Sequence, residues 1–379
     1  MSTERKKKTP WQGALMFVLV LLLSFAGGFF VGAETDGYYP EGAEMWQTLL
    51  ISAAMLGILY VALVIQLIIH EGGHLVFGLI TGYGFSSFRI FSFMLLKGDD
   101  GRLQLKRFSL AGTAGQCLMT PPDIKDGKMP VVLYNLGGSI ANVVFSVLFL
   151  VLYLFLPHIP YLSLFLLFLA IVGLALALMN GIPLSTASIN NDGYNALALL
   201  KNDRACRAFW IQMKANELQS KGVRLKDMPA EWFEVPTDEE MKNAMIAPIG
   251  VFAASRLMDE GRLYEAESLM EHLMNIESGI VPLHRALMVC DRIYIELISS
   301  NRSNVIEGYL TTAQKKFMKS MRSFPSVIRT DYAYAALHMG DEAMAKSRLS
   351  DFEKCAKTYP YPQDIVSERE LIELVKEHS

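Results

Sequence analysis

The chain has 379 residues, of which 52% are hydrophobic and 19% charged, with a net charge of −3. So apolar a composition, unevenly spread, excludes a single ordinary soluble domain, and the slightly acidic balance excludes nucleic-acid binding. Cys117, Cys206, Cys290 and Cys355 are scattered with no CxxC pair, which points to reduced thiols and away from a disulfide framework or a zinc knuckle.

Basic Arg5 to Lys8 precede an uncharged run over residues 11–33, close to the roughly 20 residues a helix needs to cross a bilayer. A cleaved signal peptide is the competing reading. The run exceeds the roughly 7–15 apolar residues of a signal core, which favours a retained span. Lys6, Lys7 and Lys8 place the N-terminus in the cytoplasm by the positive-inside rule. Trp11 is then expected at the interface, with Glu34, Asp36, Glu41 and Glu44 outside. A second apolar run begins near Trp46 and continues to about Thr81. At about 1.5 Å per residue it is longer than a bilayer needs, so it tilts or protrudes. Its direction is outside to inside.

Residues 85–120 change character. Two short aromatic and β-branched runs flank Gly98 to Gly101, "GDDG", and Asp-Gly between apolar runs signals a hairpin. Lys97, Arg102, Lys106 and Arg107 agree with a cytoplasmic membrane surface. From Met129 to Asn191 there is no Asp, Glu, Lys or Arg. The prolines of "LPHIPYLS" divide that stretch into spans over about 131–155 and 161–180. Beyond residue 200 the composition is that of a soluble helical domain. Two segments there each carry a turn glycine, Gly261 or Gly340, with an alanine five residues later, Ala266 or Ala345, a pattern similar to tetratricopeptide repeats.

The expected fold is therefore mostly α: a polytopic membrane helical core of about four spans with a short membrane-associated β-hairpin, then a soluble α-helical repeat-like domain. The expected ranges are 1–45 for the N-terminal tail, first span and external loop, 46–200 for the core, and 201–379 for the helical domain. The chain reads as multi-pass in the cell membrane, with the N-terminus and the C-terminal domain cytoplasmic.

Within the second run stands "IQLIIHEGGHLVFGLI". In HExxH on a helix, His70 and His74 share a face and can grip one zinc ion, leaving Glu71 beside them as a general base toward water. The competing reading is a polar pair bridging helices, which leaves Glu71 uncompensated at membrane depth, an expensive arrangement. Catalytic zinc takes three protein ligands. Gly181 and Pro183 break the last span, and unwound backbone at this depth is tolerated where it is buried in protein or lines a cavity. Asp192 follows as the first charge after the neutral stretch. Asn191 or Asp192 also reads as an N-cap for the next helix, and the two readings are compatible.

HEGGH in a membrane segment, followed after two more spans by Asn180-x-x-Pro183 and then Asp192-Gly193, resembles the site-2 protease family of intramembrane zinc metalloproteases. The resemblance covers residues 46–200. It implies that His70, His74 and Asp192 bind zinc and that Glu71 is the catalytic base. It further implies that Gly138 and Asn142, from "GGSIAN", help to hold substrate beside the site, and that Asn180 orients the loop. The sequence departs from the family pattern in that loop. Eight residues separate Pro183 from Asp192, and Asn191 stands where leucine is common.

The implied activity is zinc-dependent cleavage of a transmembrane segment of a membrane-protein substrate within the lipid bilayer. A cytoplasmic protein partner is expected for the helical repeats. The alternative is a non-catalytic membrane-anchored scaffold that binds partners through those repeats. A proton-relay transporter is a third reading. Neither of these needs zinc.

Overall fold

The computed structural model describes residues 10–98, 101–108, 113–184 and 190–378, with the side chains of 10–17, 19, 20 and 23 left aside. Arg5 to Lys8, the Trp11 side chain, Asp99 and Asp100 therefore lie outside the described residues. The chain is mostly helical and forms two compact units. Among the described residues, one comprises 10–81, 132–184 and 190–197, and the other holds those of 82–131 and 198–378. These boundaries cut across the 46–200 sequence range.

The first unit is built from α1 (Pro10–Glu34), α2 (Met45–Ile80), α3 (Val131–Phe155), α4 (Leu162–Gly181) and the start of α5 (Asp192–Leu200). Among the described residues, α2, α3 and α4 are long and apolar enough to cross a membrane. α2 opens on a capping box, in which the Glu44 backbone N–H donates to Gln47 Oε1 at 2.9 Å. Its amphipathicity is inverted. The buried side carries Ala62, Gln66, His70, His74 and Gly78, one every fourth residue, while Leu56, Tyr60, Leu79 and Ile80 are exposed. Water outside would select the opposite arrangement.

Small residues bring the helices together. A Cβ at Gly73 would stand 2.3 Å from the Gly137 carbonyl oxygen, and one at Gly137 would stand 2.6 Å from the Gly73 oxygen. The α2 and α3 backbones therefore touch there, as small residues permit between apolar helices. Glu34 is buried at the end of α1. It accepts from the Tyr38 hydroxyl at 3.0 Å and from the Tyr153 hydroxyl of α3 at 2.8 Å. A buried carboxylate is tolerable when its oxygens are so paired.

The second unit holds a four-stranded antiparallel sheet and the C-terminal helices. The strands are β1 (Gly84–Ile90), β2 (Phe93–Lys97), β3 (Leu103–Arg107) and β4 (Gly115–Thr120), ordered β3-β2-β1-β4. The expected hairpin is β2–β3, closed by the Gly98 N–H donating to the Arg102 carbonyl at 3.0 Å. β1 and β4 extend it into a small four-stranded sheet. β3 is an outer strand, and its Leu103 and Leu105 are exposed.

The helices that follow are α6 (Asp203–Ser220), α7 (Pro248–Asp259), α8 (Leu263–Asn275), α9 (Pro282–Ser299), α10 (Ser303–Tyr309), α11 (Thr312–Ser320), α12 (Pro325–Ala333), α13 (Glu342–Thr358) and α14 (Pro362–His378). α7 and α8 meet at Gly261 with φ 72°, and α12 runs through a π turn to Gly340 with φ 62° before α13. Both glycines occupy the left-handed region that other residues resist. Ala266 and Ala345 are buried in the shared core, where each helix–turn–helix closes.

Candidate metal centre

Two elements of the first unit converge on one point. α2 presents His70 and His74 from successive turns, with ring centroids 4.9 Å apart and ring planes at 85°. Asp192 arrives from the break after α4. Its Oδ2 lies 3.2 Å from His70 Nε2 and 3.4 Å from His74 Nε2, and the two Nε2 atoms are 3.3 Å apart. These three side chains form a group able to hold a metal ion. Both histidines are nearly fully buried. Glu71 is also buried, on the helical turn between them.

The donor set fits zinc. Ligand atoms about 2.0–2.1 Å from a zinc ion at tetrahedral angles stand about 3.3 Å from one another, which is the spacing of these three atoms. The outer ring nitrogens are occupied by protein. His74 Nδ1 lies 2.8 Å from the Tyr134 carbonyl oxygen, which can only accept, so Nδ1 carries the proton and Nε2 a lone pair. His70 Nδ1 lies 2.7 Å from Asn142 Oδ1. Lone pairs from two imidazoles and a carboxylate facing one another repel unless a cation sits between them.

The loop that delivers Asp192 is tied by Asn191. Its Nδ2 donates to the Met179 carbonyl at 2.7 Å and the Ile182 carbonyl at 2.5 Å. Its Oδ1 accepts from the Leu184 N–H at 2.9 Å and from the Tyr194 N–H at 3.0 Å. Asn191 thus caps α5, and Asp192 is left to face the histidines. Gly193 lets the chain pass. A Cβ there would stand 2.2 Å from the Gly181 carbonyl oxygen and 3.0 Å from the Pro183 nitrogen.

The structure places the other three sequence-predicted residues as follows. Asn180 donates within its own helix, to the Leu176 carbonyl at 3.1 Å, and Asn191 has the loop-orienting contacts. Gly138 lies under the His70 ring, where a Cβ would come within 2.6 Å of Cε1, so a side chain there would displace the ligand ring. Asn142 is fully buried and uses both ends of its amide on protein, toward His70 and toward Gln66. Of the glycine pair inside the motif, Gly73 meets α3 while a Cβ at Gly72 would meet nothing within 4 Å.

Sequence reasoning missed Gln66 and Tyr134. Gln66 had a usable signal, being a lone amide one turn ahead of His70 in an apolar run. Tyr134 acts through its carbonyl, for which the residue type carries no information. Comparison with protein-family models, with curated proteins and with solved structures returns no match.

Proposed function

We propose that the chain is a zinc endopeptidase of the site-2 protease kind that cleaves a transmembrane segment of a membrane-protein substrate. The observation that carries this reading is the meeting of His70, His74 and Asp192 at the separations tetrahedral zinc requires. A zinc ion held there supplies a Lewis acid that polarises the scissile carbonyl and acidifies water. Glu71 takes the proton from the attacking water and returns it to the leaving amine nitrogen. His70, His74 and Asp192 hold their donor atoms fixed, so the site does not reorganise during the reaction.

The inverted face of α2 supports a bilayer as the surrounding solvent. An intact helix has its carbonyls paired, so the substrate unwinds before cleavage. The outer strand β3 is suited to take the unwound stretch as an added strand. α1 is a fourth, retained span, the N-terminus and the C-terminal helices are cytoplasmic, and the helical hairpins bind a protein partner.

The test is co-expression with a single-span substrate, comparing the wild type with Glu71→Gln and measuring zinc on both purified proteins. Cleavage by the wild type alone, with zinc in both, supports the proposal. Equal processing by both, with no zinc in either, returns the scaffold reading.

A further inference from the structure

His74 has its proton placed by a backbone carbonyl, but His70 has only an amide side chain beside it. Asn142 can present either its oxygen or its nitrogen to the ring. Presenting nitrogen would put the His70 proton on Nε2, pointing at the metal position. Something must therefore fix which way the amide faces.

We propose that Gln66 is the positioning residue that fixes it, through a relay of hydrogen bonds begun at a backbone carbonyl of α4. This rests on the zinc reading of the site. The Leu169 carbonyl can only accept, so the group 2.7 Å from it must be the Gln66 nitrogen, Nε2. Gln66 Oε1 then faces Asn142 at 2.8 Å and accepts from Nδ2, which also donates to the Gln66 backbone carbonyl at 3.0 Å. With two acceptors holding the nitrogen end, Asn142 Oδ1 faces His70 Nδ1 at 2.7 Å and accepts a hydrogen bond from it, which keeps the ring proton on Nδ1. His70 Nε2 is left as a lone pair directed at His74 and Asp192.

Each member is supported where it stands. Gln66 and Asn142 are both fully buried, so no bulk water competes for their amides. Gly173 of α4 makes room for the relay, since a Cβ there would lie 2.5 Å from Gln66 Nε2. The polarity is set wholly inside the protein, and the ligand is ready before any ion enters. Such outer partners of a metal-bound histidine typically contribute about 10–100-fold in metal affinity.

The test is zinc affinity of the full chain, purified in detergent, by competition with a chromogenic chelator. Gln66→Leu is compared with its parent in two backgrounds, the wild type and Asn142→Asp. In the wild type it is expected to weaken zinc binding about tenfold, near the lower end of that range because Asn142 keeps one acceptor. In Asn142→Asp either carboxyl oxygen can accept from His70, so no wrong orientation exists and the same substitution is expected to cost under about twofold. No loss in the wild type, or an equal loss in both backgrounds, overturns the relay and leaves Gln66 as packing. A wild type that binds zinc no better than His70→Ala overturns the metal reading itself, and the relay with it.

Discussion

His70 and Asp192 are 122 positions apart in sequence, yet His70 Nε2 and Asp192 Oδ2 meet at 3.2 Å. The contact joins the middle of one apolar helix to the first turn of another, across a helix break. Asp192 brings the only carboxylate in the three-donor group, so its loss removes both a ligand and the charge that offsets a dication. Asp192→Ala is expected to weaken zinc binding by more than the roughly 10–100-fold lost with an outer hydrogen bond. Chelator competition on the purified chain measures it, and affinity unchanged from wild type would remove Asp192 from the ligand set.

Gly193→Ala is expected to lower zinc occupancy although it touches no ligand atom. The added methyl would meet the Gly181 carbonyl at 2.2 Å, so the backbone that carries Asp192 must shift. Gly72→Ala is the matched control within the motif, where a methyl meets nothing within 4 Å. That variant is expected to keep its zinc and to gain about 0.5–1 kcal/mol of helix stability. Metal analysis of both proteins checks the pair. Equal retention would show that the close passage at Gly193 does not govern the site.

Asn191→Ala removes a cap together with two bonds to carbonyls before the loop. Losing them is expected to cost about 2 kcal/mol locally, which corresponds to roughly 30-fold faster amide exchange. Hydrogen exchange over the peptides of α4 and α5 reads this directly. Exchange confined to its wild-type rate would mean that the loop is held by other contacts.

What the sequence made legible follows from what each feature costs. The runs that became α2, α3 and α4 were visible because charge is expelled from apolar surroundings along their whole length. His70, Glu71 and His74 stood out for the same reason, and Asp192 as the first charge after a long neutral stretch. The β2–β3 turn announced itself through its glycines. The β1–β2 turn did not, because Phe91, with φ 51°, occupies a conformation its residue type does not signal. Gln66 and Asn142 were harder to assign. An amide offers a donor and an acceptor at opposite ends, and only the partners of both ends, drawn here from α2, α3 and α4, say what it does. Gly138 likewise reads as a motif letter in the sequence and as clearance for the His70 ring in the fold.

A pH dependence is expected in the C-terminal helices, around the fully buried Arg329. Its guanidinium pairs with Asp291 at 2.5 Å and with Glu368 at 3.3 Å, and stacks over Tyr294 at 4.2 Å. Burial pushes the Glu368 carboxyl up to about 7 against the pull of Arg329. Burial raises Asp364 to about 7 as well, against its hydrogen bond from Gln219. Both folded values lie above the unfolded ones, so the native state binds these protons more tightly. Their contribution is fully present below the unfolded values and is lost as pH rises through 7. Nearby His284 has the opposite sign, since burial pushes it down, but its effect saturates above its ordinary value of about 6.5. Between pH 6.5 and 8 the carboxyls therefore dominate, and stability is expected to fall by about 1 kcal/mol for each. Amide exchange in α12 and α14, corrected for intrinsic rates, measures this loss of protection. Glu368→Gln, which cannot ionise, is expected to remove about half of it. A slope that is absent in the wild type, or unchanged in the variant, would show that Glu368 is already charged in the fold.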